Sequence, residues 1–315
     1  MKYILLSVLL ILSITAGIYA GQVELFPLNE FTRDILWDFR IPRVIFAALN
    51  GATLALAGML YQITLRNPMA EGFTTGAASS AAFGGCLALA LSGRPWTVSL
   101  CAVISAFAGI AIVRYMAKHS GGFNPVTVIL AGIAVSVMAG SGVSFLKYYF
   151  EESVSTLVFW LMGGLTRASW VKTAFMAALL VIVMNGLAVK RRKIAVLFLD
   201  DHSAITSGVN VPAMREFLFI VTTALVAFSV SFCGIISFIG LMIPHAVRAL
   251  FGHDINTQLF CTPLAGAFAL TVFDLLSRVI LPSGSELPVG ILTALCGGLF
   301  FSLLLMKKGG KVWNS

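Results

Sequence analysis

The feature that constrains this chain most is a succession of long apolar segments separated only by short polar breaks. A helix needs about 20 apolar residues to cross the hydrocarbon core of a bilayer, and ten segments come close to that length. They lie near 3–20, 44–65, 73–91, 97–117, 126–146, 172–189, 214–232, 235–250, 259–281 and 287–306. The sequence therefore predicts an all-α protein, a polytopic transmembrane helical bundle with about ten spans.

Composition supports a membrane protein and gives no sign of a second domain. Hydrophobic residues make up 59% of the 315 residues and charged residues only 11%. That leaves too few polar residues to cover the surface of a water-soluble domain of this size. No linker or low-complexity segment interrupts the sequence, so we predict one transmembrane domain over residues 1–315.

Charge and metal-binding residue types exclude several classes of protein. The formal net charge is +8, but the basic residues lie singly or in short clusters beside apolar segments. They do not form the aromatic-studded basic face of a nucleic-acid-binding protein. The five cysteines lie in apolar segments without a CxxC pair, and the four histidines are dispersed. We therefore predict contact with membrane lipid, and no nucleic acid, metal ion or cofactor as a ligand.

The first twenty residues allow two interpretations. Lys2, followed by an apolar run from Ile4 to Ile18, resembles a signal peptide but also suits a first transmembrane helix with a cytoplasmic amino end. We favour the helix, because an inside start places 13 Lys and Arg residues on the inner side and 8 on the outer side. This is the direction of the positive-inside rule, and it predicts that both termini are cytoplasmic. The outer set is Arg33, Arg40, Arg43, Arg94, Lys147, Arg167, Lys172 and Arg278.

A polar segment at 197–211 stands out between apolar segments, directly after the basic run 190–193. Asp200 and Asp201 suit the start of a helix, and Gly208 suits the left-handed residue that follows a helix end. We predict a short amphipathic helix on the cytoplasmic surface. The chain has no GxxxxGK[ST] motif and so no P-loop of its own, and a permease needs such a helix to accept force from a separate ATPase.

Two groups of charged residues lie at the predicted outer face. Arg40 and Arg43 are three residues apart at the start of the second segment, so both can project to one side. The helix dipole opposes cations at that position, which leaves lipid-headgroup anchoring or docking of an acidic outer partner as explanations. Asp274 and Arg278 are four apart and suit an intrahelical pair, with structural and functional roles equally open.

The turn at 66–71 joins the second and third segments at the predicted inner face. Pro68 breaks the helix, and Asn67 can satisfy backbone groups of a turn. A plain turn and an inner gate formed by Asn67 and Met69 are the two interpretations. Asp274 is the one carboxylate clearly inside a segment, which disfavours a proton-coupled carrier. No nucleophile and base stand out, so we assign no catalytic residues and predict that the chain is not an enzyme.

Together these motifs resemble the FecCD-type permeases of bacterial ABC importers for iron-siderophores, haem and cobalamin, from about residue 36 to residue 306. The motifs are RIPR at 40–43, RNPMAE at 66–71, LAGIA at 130–134, WLMGG at 160–164, ISFIGLMIPHAVR at 236–248, and the set Asp274, Arg278, Glu286, Pro288, Val289 and Gly290. Each motif is weak alone, but their order along the chain makes the resemblance specific.

The resemblance implies the type II ABC importer permease fold in the bacterial cytoplasmic (inner) membrane. Two permeases, either two copies or a copy and a sister chain, surround a central path. Two cytoplasmic ATPase subunits bind below, and a periplasmic or lipid-anchored substrate-binding protein docks above. The roles implied are binding-protein docking for Arg40, Arg43 and Arg278, the inner gate for Asn67 and Met69, and ATPase coupling for Asp200, Asp201, Ala204 and Gly208 within coupling helices at 197–211.

The coupling segment departs from the family pattern. The family usually has Leu-Gly-Glu and then Ala-Arg, whereas this chain has Leu199-Asp200-Asp201 and then Ala204-Ile205, which points to a matched ATPase partner. The expected cargo is a ferric siderophore or another iron chelate. Haem, cobalamin or an oxyanion is the alternative within the family, and a proton-coupled secondary carrier is the alternative outside it.

Overall fold

The computed structural model describes residues 2–21, 29–120, 124–281 and 285–307. The α-helices are α1 (Lys2–Tyr19), α2 (Glu30–Asp34), α3 (Ile41–Thr64), α4 (Ala77–Leu91), α5 (Pro95–His119), α6 (Pro125–Tyr149), α7 (Val154–Leu161), α8 (Trp170–Leu199), α9 (Asp201–Thr206), α10 (Val211–Cys233), α11 (Ile239–Phe251), α12 (Ile255–Val279) and α13 (Val289–Lys307). A π-helical segment, Ile35–Arg40, precedes α3. No strand occurs in these ranges, and the all-α prediction is confirmed.

Seven helical stretches in the described ranges are long and apolar enough to cross a membrane. They are Lys2–Tyr19, Glu30–Thr64, Pro95–His119, Pro125–Tyr149, Trp170–Phe198, Val211–Cys233 and Ile255–Val279. Three shorter apolar helices, Ala77–Leu91, Ile239–Phe251 and Val289–Leu304, occupy the remaining predicted segments. The transmembrane bundle is therefore confirmed, while the count of ten holds only when these short helices are included.

The helix α11 begins later than the predicted segment 235–250, because the first residues of that segment are irregular rather than helical. Gly234 and Phe238 both have left-handed backbones, with φ of +71° and +65°. Two glycines from other parts of the chain approach this irregular stretch, since a Cβ atom on Gly163 or Gly290 would overlap the carbonyl oxygen of Ile235. The motifs WLMGG and PVG thus supply the close backbone approach that this crossing needs.

The helix α3 lies at the centre of the bundle and packs against α8, α10, α11 and α12. At Gly51 a Cβ atom would overlap the carbonyl of Gly266 on α12, and at Gly58 it would overlap the carbonyl of Gly240 on α11. Small residues of this kind let helices in lipid pack backbone to backbone. The glycines of α3 therefore set how close α11 and α12 approach.

The bundle has two polar ends. The Arg43 end contains the start of α3, the end of α12 and the end of α1; the Asp200 end contains α9, the end of α3 and the start of α10. The helix α1 begins at the Asp200 end, where Lys2 Nζ donates to the carbonyl of Phe251 over 2.7 Å. Lys308 and Lys311, both predicted inner charges, lie outside the described residues.

Candidate functional site

At the Arg43 end, a carboxylate from α12 is shared by two arginines. Asp274 is fully buried, and its Oδ1 accepts from Arg43 Nε over 2.9 Å. Its Oδ2 lies 3.1 Å from Arg278 Nη2, which confirms the predicted i,i+4 pair. Arg43 also donates to Glu286 over 2.8 Å. Two cations and two anions therefore form a compact network that joins α3, α12 and the segment before α13.

The arginines Arg40 and Arg278 also bind the carboxyl end of α1. Together they donate four hydrogen bonds of 2.9–3.3 Å to the carbonyl oxygens of residues 17–20. The last carbonyls of a helix lack intrahelical partners and carry partial negative charge. The two arginines therefore cap a helix that is not their own, which sequence reasoning missed. Their exposed fractions are only 7% and 4%, so little of either is accessible to a partner.

A cavity of about 250 Å³ opens beside Arg43. Its charged lining residues are Arg43, Arg167 and Glu286, and its aromatic lining residues are Phe159, Trp160 and Phe232. Its volume is somewhat below the roughly 300–1,000 Å³ typical of small-molecule pockets. The cavity therefore suits a side chain or a small part of a larger ligand.

At the Asp200 end, the polar segment forms the helix that the sequence predicts. Asp200 is the N-cap of α9, and its carboxylate accepts from the N–H and the Oγ of Ser203 over 2.7 and 2.6 Å. These hydrogen bonds stabilise the ionised form and lower the pKa of Asp200. Gly208 follows the helix with φ of +75°. Both predicted helix ends are confirmed.

The faces of α9 differ in character. Ala204 is fully buried in the main hydrophobic cluster, so it attaches the helix to the bundle. Ile205 next to it is 64% exposed, and His202 and Thr206 are exposed as well. The outer face of α9 therefore presents one apolar side chain, Ile205, together with polar ones.

The turn that contains Asn67 and Met69 lies at the same end. Asn67 Oδ1 accepts from the N–H of Met69 over 2.8 Å, and the Asn67 carbonyl accepts from the N–H of Ala70 over 3.0 Å. The predicted turn is therefore confirmed. The backbone of the preceding residue, Arg66, is left-handed with φ of +45°, and Met69 is half-buried. The gate role of Asn67 and Met69 stays a prediction.

Two polar groups near this turn were not assigned a role from sequence. Arg248 of α11 donates to the buried side-chain carbonyl of Gln62 on α3, which ties the two helices beyond the Gly58 contact. Glu71 lines a cavity of about 30 Å³ among apolar residues, and burial raises its pKa to about 7. Its carboxyl group has no hydrogen-bond or ion-pair partner in the described part of the chain, although it stays partly accessible.

A bundle of long apolar helices with two polar ends is the structure of a polytopic membrane protein. The model of the FecCD transport family matches residues 4–307. The chain belongs to the FecCD transport family. It is thus the permease of an ABC importer, which works with ATPase and substrate-binding partners and is not itself an enzyme. The resemblance drawn from the motifs is confirmed.

Curated relatives cover most of this chain. Permease BtuC of the cobalamin import system of Halobacterium salinarum is 35% identical over 92% of this chain and 78% of its own length. Permease FecD of the iron(III) dicitrate system of Escherichia coli K12 is 34% identical over 87% and 85%. Permease MolB of the molybdate import system of Haemophilus influenzae is 31% identical over 92% and 86%. Relatives of similar identity thus carry names with three different cargoes.

A solved structure shows the same fold. It is described as an inward-facing conformation of a metal-chelate type ABC transporter, and it superposes with a TM-score of 0.89 at 29% identity. The superposition covers 97% of this chain and 98% of that chain. The ABC importer permease fold is therefore confirmed.

Replacing Asp274 by alanine should destabilise the protein strongly, because Arg43 and Arg278 would lose their shared buried counter-ion. Removing one partner of a buried pair costs about 3–5 kcal/mol, which we expect to see as a lower Tm of the detergent-purified protein. Glu286→Gln is the matched control, since its side chain is 29% exposed and exposed pairs contribute about 0–1 kcal/mol. Equal Tm values for the two variants would contradict this role of Asp274.

Proposed function

We propose that this permease imports a ferric siderophore or another iron chelate across the bacterial cytoplasmic (inner) membrane. The observation that supports an iron chelate as the cargo is the combined similarity to an iron(III) dicitrate permease and to a metal-chelate type transporter. The cobalamin and molybdate relatives keep haem, cobalamin and an oxyanion as alternatives. Because the chain belongs to an ABC importer family, we do not propose a proton-coupled secondary carrier as its function.

In this proposal the Asp200 end faces the cytoplasm. The basic run 190–193 lies in the last part of α8, close to that end, together with Arg66 and Arg215. Lys2 and Lys307, the outermost described residues, also lie there, because α1 begins and α13 ends at that side of the bundle. An excess of Lys and Arg on one side of a membrane protein supports a cytoplasmic location for that side. In this proposal both termini are therefore cytoplasmic.

A second permease, either another copy or a sister chain, would pack against α6. Gly140, Ser141 and Ser144 are exposed on this apolar helix, and a Cβ atom on Gly140 would meet nothing within 4 Å. Small and hydroxyl-bearing residues on a transmembrane helix suit contact with another helix or a polar path better than contact with lipid. Each of the two permease chains would then contribute one domain, residues 1–315 in this chain, to one side of the path.

Each permease would seat one ATPase on its coupling segment, 197–211, so that the pair binds two. Asp200 and Gly208 define the ends of α9, Ala204 attaches it to the bundle, and Ile205 presents an apolar side chain outward. Movement of the ATPase would bias the permease between inward and outward states. Asn67 and Met69 at the same end would form the inner gate of the path.

The substrate-binding protein would dock on the Arg43 end. Arg40 and Arg278 hold the end of α1, so their part in docking would be to position the surface. Arg43 is partly accessible beside the cavity, and Arg33 and Arg167 are exposed. These three cations would receive acidic groups of the binding protein, which accounts for arginines on a side where the positive-inside rule expects few.

The seat of the ATPase is tested by Ile205→Asp. A carboxylate on the exposed face should prevent an apolar contact without disturbing the buried Ala204, so we expect loss of the ATPase during co-purification and loss of ATP-driven uptake. His253→Asp is the control, because His253 is exposed at the same end of the bundle. Equal ATPase recovery with both variants would contradict the proposed seat.

The docking surface is tested by the double reversal Arg33→Glu/Arg167→Glu. Each exposed pair contributes about 0–1 kcal/mol, so we expect about tenfold weaker binding-protein affinity at low salt and a flatter salt dependence. Lys118→Glu/Arg191→Glu changes the net charge equally at the opposite end and should leave the affinity unchanged. Unaltered affinity and salt slope in the first variant would remove these arginines from the docking surface.

The cargo is tested by uptake in cells that lack their own copy of this permease and receive it with its ATPase and binding protein. Radioactive iron supplied as a ferric siderophore should accumulate, and an ATPase deficient in hydrolysis should abolish the accumulation. Labelled cobalamin, haem and molybdate are measured in parallel. Accumulation of one of these instead of iron would contradict the iron-chelate proposal while leaving the family assignment intact.

A further inference from the structure

A single carboxylate oxygen joins three parts of the Asp200 end. Asp201 Oδ1 lies 3.0 Å from Arg66 Nη2 and 3.0 Å from Arg215 Nη2. Arg66 opens the turn that contains Asn67 and Met69, Arg215 lies in the first turns of α10, and Asp201 is the first residue of α9. The helix α9, the turn that begins at Arg66 and the helix α10 therefore meet at one atom, Asp201 Oδ1.

The two arginines depend on Asp201 to different degrees. The Arg215 side chain is 7% exposed, and its Nε has no hydrogen-bond partner in the described part of the chain. A buried guanidinium of this kind needs its counter-ion. The Arg66 side chain is 40% exposed, and an exposed pair contributes little to stability. The Arg66 contact is therefore more important for the position of the turn than for folding.

The backbone at Arg66 supports a positional role. Its φ of +45° lies in the left-handed region, which residues other than glycine rarely adopt and which persists only where the surroundings hold it. The residue that follows is Asn67, whose side chain closes the turn on Met69. The ion pair to Asp201 is a contact that holds this conformation from the side of α9.

We infer that Asp201 is a positioning residue that transmits movement of α9 to the turn of Asn67 and Met69. The inference rests on the proposed ATPase seat, because the ATPase would supply the movement. Asp200, next to it, is bound within α9 to Ser203, so it keeps the helix intact while Asp201 faces the turn. When α9 is displaced, the ion pair between Asp201 and Arg66 moves the turn with it. The ion pair between Asp201 and Arg215 keeps the start of α9 in contact with α10.

The test compares ATP hydrolysis with uptake in proteoliposomes that contain the full importer. We expect Arg66→Gln, which leaves the pair of Asp201 and Arg215 intact, to lower cargo imported per ATP about tenfold, within the range of typical coupling energies. Asp201→Asn should show at least the same defect, because it also removes the counter-ion of Arg215, and Asp201→Glu should restore most of the coupling. Asp254→Asn is the control, because Asp254 caps α12 at the same end through Thr257 and forms no ion pair with any described residue.

The double variant Arg66→Gln/Asp201→Asn should be no worse than the more impaired single variant, since both remove one link. Co-purification of the ATPase with each variant is measured first, which separates this inference from the seat on which it rests. Wild-type coupling in Arg66→Gln with the ATPase bound would overturn the inference alone. An ATPase that binds independently of α9, as tested by Ile205→Asp, would overturn both.

Discussion

Close backbone packing around α3 is the constraint on which the rest of the structure depends. Apolar helices in lipid gain little from hiding apolar surface from one another, so packing and satisfied polar groups must hold them together. At Gly51 and Gly58 no side chain separates α3 from α12 and α11. This contact fixes the position of α3 and, with it, the positions of Arg43 at one end and Arg66 at the other.

Each end of α3 repeats the same electrostatic arrangement with a different burial. Asp274 is shared by Arg43 and Arg278 and is fully buried. Asp201 is shared by Arg66 and Arg215 and is 36% exposed. Both arginine contacts of Asp274 lie in a low-dielectric site, so their loss is costly. At Asp201, water screens the contact with Arg66 but much less the contact with the buried Arg215. The first network therefore suits a fixed joint, and the second suits a link that joins the buried Arg215 of α10 to the more accessible turn at Arg66.

Several features followed from sequence because they depend on short-range physics. The apolar segments predicted the helices, since length and composition decide whether a helix crosses a membrane. Asp200 and Gly208 predicted both ends of α9, because a cap and a left-handed residue act within one turn. The pair of Asp274 and Arg278 followed from their spacing of four. Each of these predictions concerns atoms that the chain itself brings together within a few residues.

By itself the sequence determined the helices, their ends and, through ordered motifs, the FecCD family. Only the tertiary structure decided what the charged residues contact. Arg278 binds the carbonyl of Gly17, 261 residues away in the sequence. Asp201 pairs with Arg66 although five α-helices, α4 to α8, lie between them in the sequence. Gly163 and Gly290 likewise meet the carbonyl oxygen of Ile235 only in the folded bundle, three residues before the left-handed residue Phe238. Partners so distant meet only after the helices have packed, and periodicity, capping and spacing carry no information about that packing.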